Sequence, residues 1–466
     1  MSDYDKSKSS KKKFHPTRIK ESSSHGRSFT SSKTESITSL NFGKESAKES
    51  FITDPSIKKQ PTILLKTREH PVEEIAASPK RGTHREEHVN ISIASSSRDS
   101  EANAVPTLKS MVKSMKLIDD GVLCSDSLQD FVNDNNEFLI VGIVGANGVG
   151  KSTVMNLLAH NQITEDIKKY IFKSNKSTED RSGDIKILTE HLDKIDLRSE
   201  SKMKKEIFKI ETVEDIENCY NRTQGIDIFI TSNRLILLDC QPFASVSVLE
   251  ELIKSESKRT NLVSEFIPLE NSGEIQGLQL TAFLMSVCHV LILVQDWFFD
   301  SNVVRFIQTA EMLKPTIPNP EDELTDYFPH LLLVHNRAQI EDFSPSKFKT
   351  MQEVYKMLFH KSKLNLKSGL GLGTGRLIHY LNTENCGDSI NLFLIPDIDI
   401  NSDIIYTGHP PLEDIVKKLR ANILGSTRNP LTHVQLTEKT WLIYCTKVWD
   451  TVKKSSFFVE YTKLMP

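Results

Sequence analysis

The 466-residue chain balances 59 Lys and Arg against 62 Asp and Glu, so its charge calls for neither nucleic acid nor an anionic membrane, and direct nucleic-acid binding is not expected. Its six cysteines (Cys124, Cys219, Cys240, Cys288, Cys386, Cys445) are scattered without paired spacing, which argues against a disulfide framework or a structural zinc site and fits reduced thiols. Met1 to Pro16 is polar and basic, unlike a secretory signal, and the longest apolar run, Leu280 to Val294, falls short of the ~20 residues of a spanning helix and reads as core.

Residues 1–105 are rich in Ser, Lys and Glu, with Ser runs at 22–24 and 95–97 and a Lys run at 11–13, and show neither helical nor strand periodicity. Such a segment buries too little apolar surface to offset chain entropy, so a disordered tail is expected there, and the Lys run reads as solvated rather than as a nuclear address. A G-like P-loop domain is expected over 106–466, and from Val141 on apolar strands alternate with amphipathic helices. The chain order is a strand over Glu137 to Val144, a helix from Lys151, and a hairpin of Ile226 to Thr231 with Leu235 to Asp239. A helix near Glu274 to Ser286, a strand over His289 to Val294 and a helix over Val303 to Leu313 follow. Then come a strand over Leu331 to Val334, a helix near Phe348 to Phe359, a strand over Asn391 to Ile395 and a helix near Leu412 to Ile423. This alternation predicts an α/β fold of the P-loop, G-domain-like type: a mixed, mostly parallel sheet with one antiparallel strand and helices on both faces. Insertions are expected at 161–222, 315–328, 361–388 and 396–410, and Leu436, Trp441, Cys445, Val448 and Val452 mark a closing helix over about 436–454.

The chemistry concentrates in Gly145-Ala146-Asn147-Gly148-Val149-Gly150-Lys151-Ser152, a complete G-x-x-x-x-G-K-[ST] string placed between an apolar strand and an apolar helix. Glycines let successive backbone N–H groups turn toward the α- and β-phosphates, and the helix N-terminus adds a favourable field. Gly145, Asn147, Gly148, Val149, Gly150, Lys151, Ser152 and Thr153 are therefore the expected phosphate cradle, with Lys151 on the β- and γ-phosphates and Ser152 on Mg²⁺. Asp239, ending the strand Leu235-Ile236-Leu237-Leu238, is the expected second Mg²⁺ contact, and Thr223 sits where GTP switches keep a Mg²⁺-sensing threonine.

Beyond the cradle the string departs from a working GTPase. Where such enzymes read D-x-x-G, this chain reads Asp239-Cys240-Gln241-Pro242, and proline has no N–H to offer a γ-phosphate. The following position, where many hold a water-orienting glutamine, is Phe243; Gln241 is the nearby residue that could substitute. No residue is assigned a catalytic role, and very slow hydrolysis is expected. The guanine-reading N-K-x-D is replaced by Asn336-Arg337-Ala338-Gln339, so Asn336 and the stem of Arg337 are expected to line a purine pocket that takes GTP/GDP, ATP/ADP or both.

Two further features are weaker. Gln295 to Asp300 holds three consecutive aromatics, suited to capping the core or meeting a partner. Gly369 to Gly375 imitates a nucleotide fingerprint but follows no apolar strand, and reads as a flexible connector.

Taken together these strings resemble the SMG-nine family of nonsense-mediated mRNA decay factors. The resemblance rests on GVGKSTVMNLL (148–158), TQGIDIFIT (223–231), LLDCQP (237–242), VCHVLILVQDWF (287–298), RFIQTAEMLKP (305–315), INLFLIP (390–396) and LTEKTWLIYCTKVWDTVKKSS (436–456), and covers most of 106–466. It implies a G-fold regulatory subunit that pairs with an SMG-eight-like subunit and acts on an SMG-one-like kinase, controlling phosphorylation of the UPF-one helicase. The scattered cysteines and the polar, basic start lead to an expected cytoplasmic location, with the nucleus as a second compartment.

Overall fold

In the computed structural model, residues 109–173, 206–218, 220–254, 268–317, 326–374, 377–398 and 408–465 are described. The expected tail at 1–105 lies outside them, as do the middle of the 161–222 insertion and the centres of those at 315–328 and 396–410.

Eight strands form one sheet: β1 Met115–Asp119, β2 Val122–Leu123, β3 Leu139–Val144, β4 Ile226–Ile230, β5 Leu235–Cys240, β6 Val290–Gln295, β7 His330–Ala338 and β8 Leu392–Pro396, in the order β2-β1-β4-β5-β3-β6-β7-β8. Every residue of β3, β5 and β6 is buried, as expected of strands covered on both faces. β3 runs parallel to both β5 and β6, which places the carboxyl ends of three central strands side by side.

The antiparallel part is larger than the single strand expected from the sequence. β4 returns antiparallel on β5, as expected of the hairpin, but β1 then pairs antiparallel with β4 and β2 with β1. β1 and β2 escape a reading by periodicity because they are short and only half buried. Lys116 on β1 meets Asp227 on β4 at 2.8 Å, an ion pair that no apolar pattern announces.

The helices, numbered in chain order, are α1 Lys151–Ala159, α2 Glu165–Lys173, α3 Val213–Glu217, α4 Val246–Lys254, α5 Leu269–Val287, α6 Ser301–Leu313, α7 Pro345–Leu358, α8 Thr383–Cys386, α9 Leu412–Leu424, α10 Glu438–Lys454 and α11 Ser456–Thr462. From Ile275 onward α5 is buried at every residue because it is enclosed: β3, α4, α6, α10 and α11 all pack against it. Gly142 of β3 makes that packing possible, since a Cβ there would stand 2.7 Å from Cys288 Sγ and 3.2 Å from Leu284 Cδ2. α1 packs on β3, β5 and α9. The run Leu280 to Val294 is thus core, formed by the end of α5 and all but the last residue of β6.

The closing helix starts at Glu438, two residues later than expected, and lays Trp441, Cys445, Val448, Trp449 and Val452 onto the core. Both indoles are satisfied: Trp441 Nε1 donates to Val287 O at 3.1 Å and Trp449 Nε1 to Gly121 O at 2.9 Å. Its first residue, Glu438, is fully buried and receives Arg234, from the β4–β5 turn, through both Nε and Nη2.

The glycine-rich stretch expected to be a flexible connector is a packed one through Thr374; Gly375 lies outside the described residues. Leu370 and Leu372 are buried, and Leu372 N donates to Leu392 O of β8 at 2.8 Å. The Asn391 side chain accepts from Ser368 N and Leu370 N and donates to Leu331 O and Asn365 O. Gly371 is obligatory there, because a Cβ would stand 2.0 Å from Ile390 O.

Candidate nucleotide-phosphate site

β3 ends at Val144 and the chain curls through Gly145–Gly150 into α1. Gly148 and Gly150 have φ of 73° and 89°, the left-handed region that L side chains disfavour. Space is as restrictive as backbone angle: a Cβ on Gly145 would lie 2.7 Å from Val294 O and one on Gly150 2.4 Å from Asn336 Nδ2. Val149 is buried, Asn147 is exposed at the crest, and Thr153 faces the cleft from the first turn of α1.

Below the loop three side chains from three elements converge. Ser152 Oγ donates to Asp239 Oδ2 at 2.6 Å, Thr223 Oγ1 donates to the same oxygen at 3.3 Å, and the two hydroxyl oxygens stand 3.3 Å apart. Asp239 is fully buried and its Oδ1 has no hydrogen-bond partner. Burial pushes its carboxyl up to about 7, opposed by the Ser152 hydroxyl and the Lys151 ammonium and reinforced by Asp227, its cross-strand neighbour. Two hydroxyls and a carboxylate with one orphaned oxygen are the hard donors that Mg²⁺ prefers, so the set fits that ion.

Lys151 is buried, and its Nζ donates to Ala146 O at 2.8 Å, which folds the side chain back over its own loop. Desolvation lowers its pKa, while Asp239 and Glu211 pull it back up. Glu211 is a wall of this cleft that the sequence did not single out; it joins Ile210, Lys151, Ser152, Thr153, Thr223, Pro242 and Arg337 around a space of about 40 Å³. Burial raises the Glu211 carboxyl as well, with Lys151 opposing the shift.

The residues where a GTPase would keep its hydrolytic parts serve packing here. The amide oxygen of Gln241 accepts from Gly225 N at 2.7 Å, and the side chain lines a different crevice, beside Gln224 and Gln276. Phe243 is buried and stacked on Phe306, with centroids 4.3 Å apart and planes 19° from parallel. Pro242 alone of the three reaches the phosphate cleft.

Asn336 and Arg337, expected to line a purine pocket, brace the loop. Asn336 Nδ2 donates to Val149 O at 2.8 Å, and Arg337, at φ 53°, donates to Gly148 O and Asp296 Oδ2, both at 3.2 Å. Gln339 is exposed; its amide donates to Arg337 O, and it shares a capping box with Asp342. In the neighbouring aromatic loop Phe298 and Phe299 pack on the core, whereas Trp297 is 77% exposed.

Asn156 was also passed over. It is fully buried in α1, where it donates to Phe208 O at 2.7 Å and Ser152 O at 3.0 Å and accepts from Ile207 N and Phe208 N. An amide in the otherwise apolar run Val154-Met155-Asn156-Leu157-Leu158 is the signal that could have found it.

Residues 140–265 match a family model described as an AAA domain of the AbiEii toxin kind, from type IV TA systems. The nonsense-mediated mRNA decay factor SMG9 of Xenopus laevis is 34% identical over 392 residues, covering 78% of this chain and 69% of the relative. The factor of the same name from Caenorhabditis elegans is 24% identical over 259 residues, with 55% and 56% covered, and Protein SMG9 of Drosophila melanogaster is 25% identical over 328 residues, with 70% and 55% covered. Among solved structures, the GTPase-like domain of S. cerevisiae Ski7, bound to GDP and inorganic phosphate, aligns at 17% identity and a TM-score of 0.22, covering 48% of this chain and 40% of that one. That likeness is too loose to speak for the ligand here.

Proposed function

The chain belongs to the SMG9 family of nonsense-mediated mRNA decay factors, and from that premise we propose that it is a nucleotide-binding regulatory subunit of a protein kinase complex rather than an efficient NTPase. In this reading the P-loop holds the phosphates of a purine nucleotide, with Ser152, Asp239 and Thr223 around Mg²⁺, and the bound nucleotide stabilises a surface used for assembly. The kinase is SMG-one-like, its substrate is the UPF-one helicase, and an SMG-eight-like subunit completes a heterodimer. The location is cytoplasmic, with the nucleus as a second compartment. Among the described residues no helix is long and apolar enough to cross a membrane.

One observation carries the proposal: the cradle and its hydroxyl–carboxylate cluster are intact, while Gln241 and Phe243 are turned into structural contacts and Pro242 lacks an N–H. Mg²⁺, when bound, would supply positive charge between the phosphates. The protein supplies amide donors, the Lys151 ammonium and the oxygen ligands. A base that meets no free carboxylate acceptor at Gln339 is held without strong preference between guanine and adenine.

The test is to extract the purified protein, identify its nucleotide by chromatography and repeat the extraction with Lys151→Ala. A purine nucleotide in the parent and none in the variant is expected, together with loss of thermal stability; a ligand held at 100 times its Kd contributes about 2.7 kcal/mol. A variant that melts and assembles like the parent would contradict the proposal. The competing reading, an active GTPase or ATPase switch, requires single-turnover hydrolysis well above the slow intrinsic rates of small GTPases.

A further inference from the structure

Far from the phosphate loop, α10 lies alongside the short 3₁₀ helix Asp126–Phe131, and a groove of about 880 Å³ runs between them. Val132 and Leu442, both buried, and Ile443, which is 70% exposed, are its apolar lining; Asp130, Asp450 and Lys454 are among its polar one. Both ends are pinned. Near the start of α10, Asn133 N donates to Glu438 Oε2 at 3.1 Å and Lys439 N to Asn133 O at 3.3 Å. Near its end, Trp449 Nε1 and Lys453 Nζ donate to Gly121 O at 2.9 and 3.2 Å. The groove is thus a standing feature of the fold, with Asp130, just before Asn133, toward the start of α10 and Ser125, just after Gly121, toward its end.

The described chain begins at this groove. Ser110, Met111 and Val112 line a separate depression together with Phe131, and there Met111 is buried, its Sδ accepting from Ile230 N at 3.3 Å. Lys109, at the edge of that depression, turns to Asp130: its N donates to Asp130 O at 3.4 Å and its Nζ to Oδ2 at 2.6 Å. Followed toward its start, the chain therefore leaves one depression for the wall of the other, and residue 108 is delivered where Asp130 lines the groove.

The residues just upstream suit it. Pro106 biases Val105 to extended backbone, and in a left-handed extended helix of three residues per turn Val105 and Leu108 share one face. From Ile443 to Lys454 α10 rises about 16 Å, a distance that about five such residues cover. Farther upstream stand Asp99 and Glu101, and the last turns of α10 carry Lys453 and Lys454 against Asp450.

We propose that residues 99–108 of this chain dock in the groove, with Leu108 and Val105 covering Ile443 and Asp99 and Glu101 level with Lys453 and Lys454. A tethered segment acts at an effective concentration on the order of millimolar, so even a weak contact keeps it seated. A second copy or another protein would have to displace a chain already delivered to the site.

The test uses the full chain carrying Ile443→Cys, alkylated with a maleimide and read at that peptide by mass spectrometry. The new thiol is expected to react about tenfold more slowly than in the same chain with Val105→Asp and Leu108→Asp added, the protection conferred by a segment seated about nine-tenths of the time. Met357→Cys, at a position 66% exposed on α7, is the reference and should react alike in both backgrounds. The reciprocal pair, Leu108→Cys with and without Ile443→Glu, should show the same release, which separates docking from an effect of one substitution on folding. Equal rates within either pair overturn the proposal. So does protection at position 443 that survives the two aspartates: if it deepens with protein concentration the groove belongs to a second copy, and if it needs another protein it belongs to that partner.

Discussion

Asp239 and Glu438 are both fully buried carboxylates, one at each end of β5, and the sequence around them treats them in opposite ways. Glu438 is saturated: Arg234 reaches both its oxygens, Asn135 Nδ2 donates to Oε1 at 3.1 Å and Asn133 N to Oε2 at 3.1 Å. Asp239 receives two hydroxyls on one oxygen and nothing on the other. A saturated buried acid is a structural pin, here joining the β4–β5 turn to the last long helix. An unsaturated one costs stability that folding alone would not keep, which is why the proposed function gives Asp239 to a ligand.

The comparison can be broken first at the pin. Glu438→Ala should destabilise the protein by about 3–5 kcal/mol, by leaving Arg234 partly buried without its counter-charge. Urea unfolding measures this, and a loss below about 1 kcal/mol would show that the pair is dispensable. Nucleotide affinity of the folded variant should be unchanged.

At the other end the sign reverses. The folded carboxyl of Asp239 is raised from 3.8 to about 7, so the folded state holds a proton that the unfolded state has released across that window. Its contribution is favourable at low pH and is lost as pH climbs through about 7. In metal-free buffer at pH 8, Asp239→Asn should therefore be more stable than the parent, by on the order of 3 kcal/mol, with the advantage fading toward pH 4. Adding Mg²⁺ and nucleotide should reverse the ranking, since only the parent gains from the ion. Parallel stability profiles for parent and variant across pH would contradict the reading of Asp239 as a ligand-directed acid.

The smallest expected effect sharpens the contrast. Asn135→Ala takes one hydrogen bond from a carboxylate that retains three, together with the amide's bonds to Glu137 N and O, and should cost about 1–2 kcal/mol without touching nucleotide binding. Thermal denaturation and calorimetry on the same sample are sufficient to test both halves.

The end of the molecule that holds Asp239 was the more legible in the sequence, and the reason is physical. Phosphate binding demands glycines, a lysine and a hydroxyl at fixed spacing on a strand–loop–helix, and few other tasks demand that string. Asp239 followed from its place at the end of an apolar strand. Glu211 was illegible because it is one acid among many in the charged stretch 161–222, and nothing in its neighbours announces that Asn156 will hold Ile207 and Phe208 beside the cleft. Gln241, weighed as a stand-in for the missing water-orienting group, is instead consumed by Gly225 N, a contact set by the hairpin register and not by local sequence. The glycines at 369–373 suggested flexibility because glycine usually signals it; here Gly371 is small to admit Ile390 O, and the burial comes from Asn391.

The bracing of the loop from β7 has a bearing on affinity. Asn336 and Arg337 grip the carbonyls of Val149 and Gly148 from outside, and each peptide plane held by its oxygen has its amide direction set as well. The cradle is thus moulded during folding, as an arch is by its buttress. On the proposed function, an arriving phosphate would meet donors already aimed, and little of its binding energy would be diverted into ordering glycines that would otherwise wander.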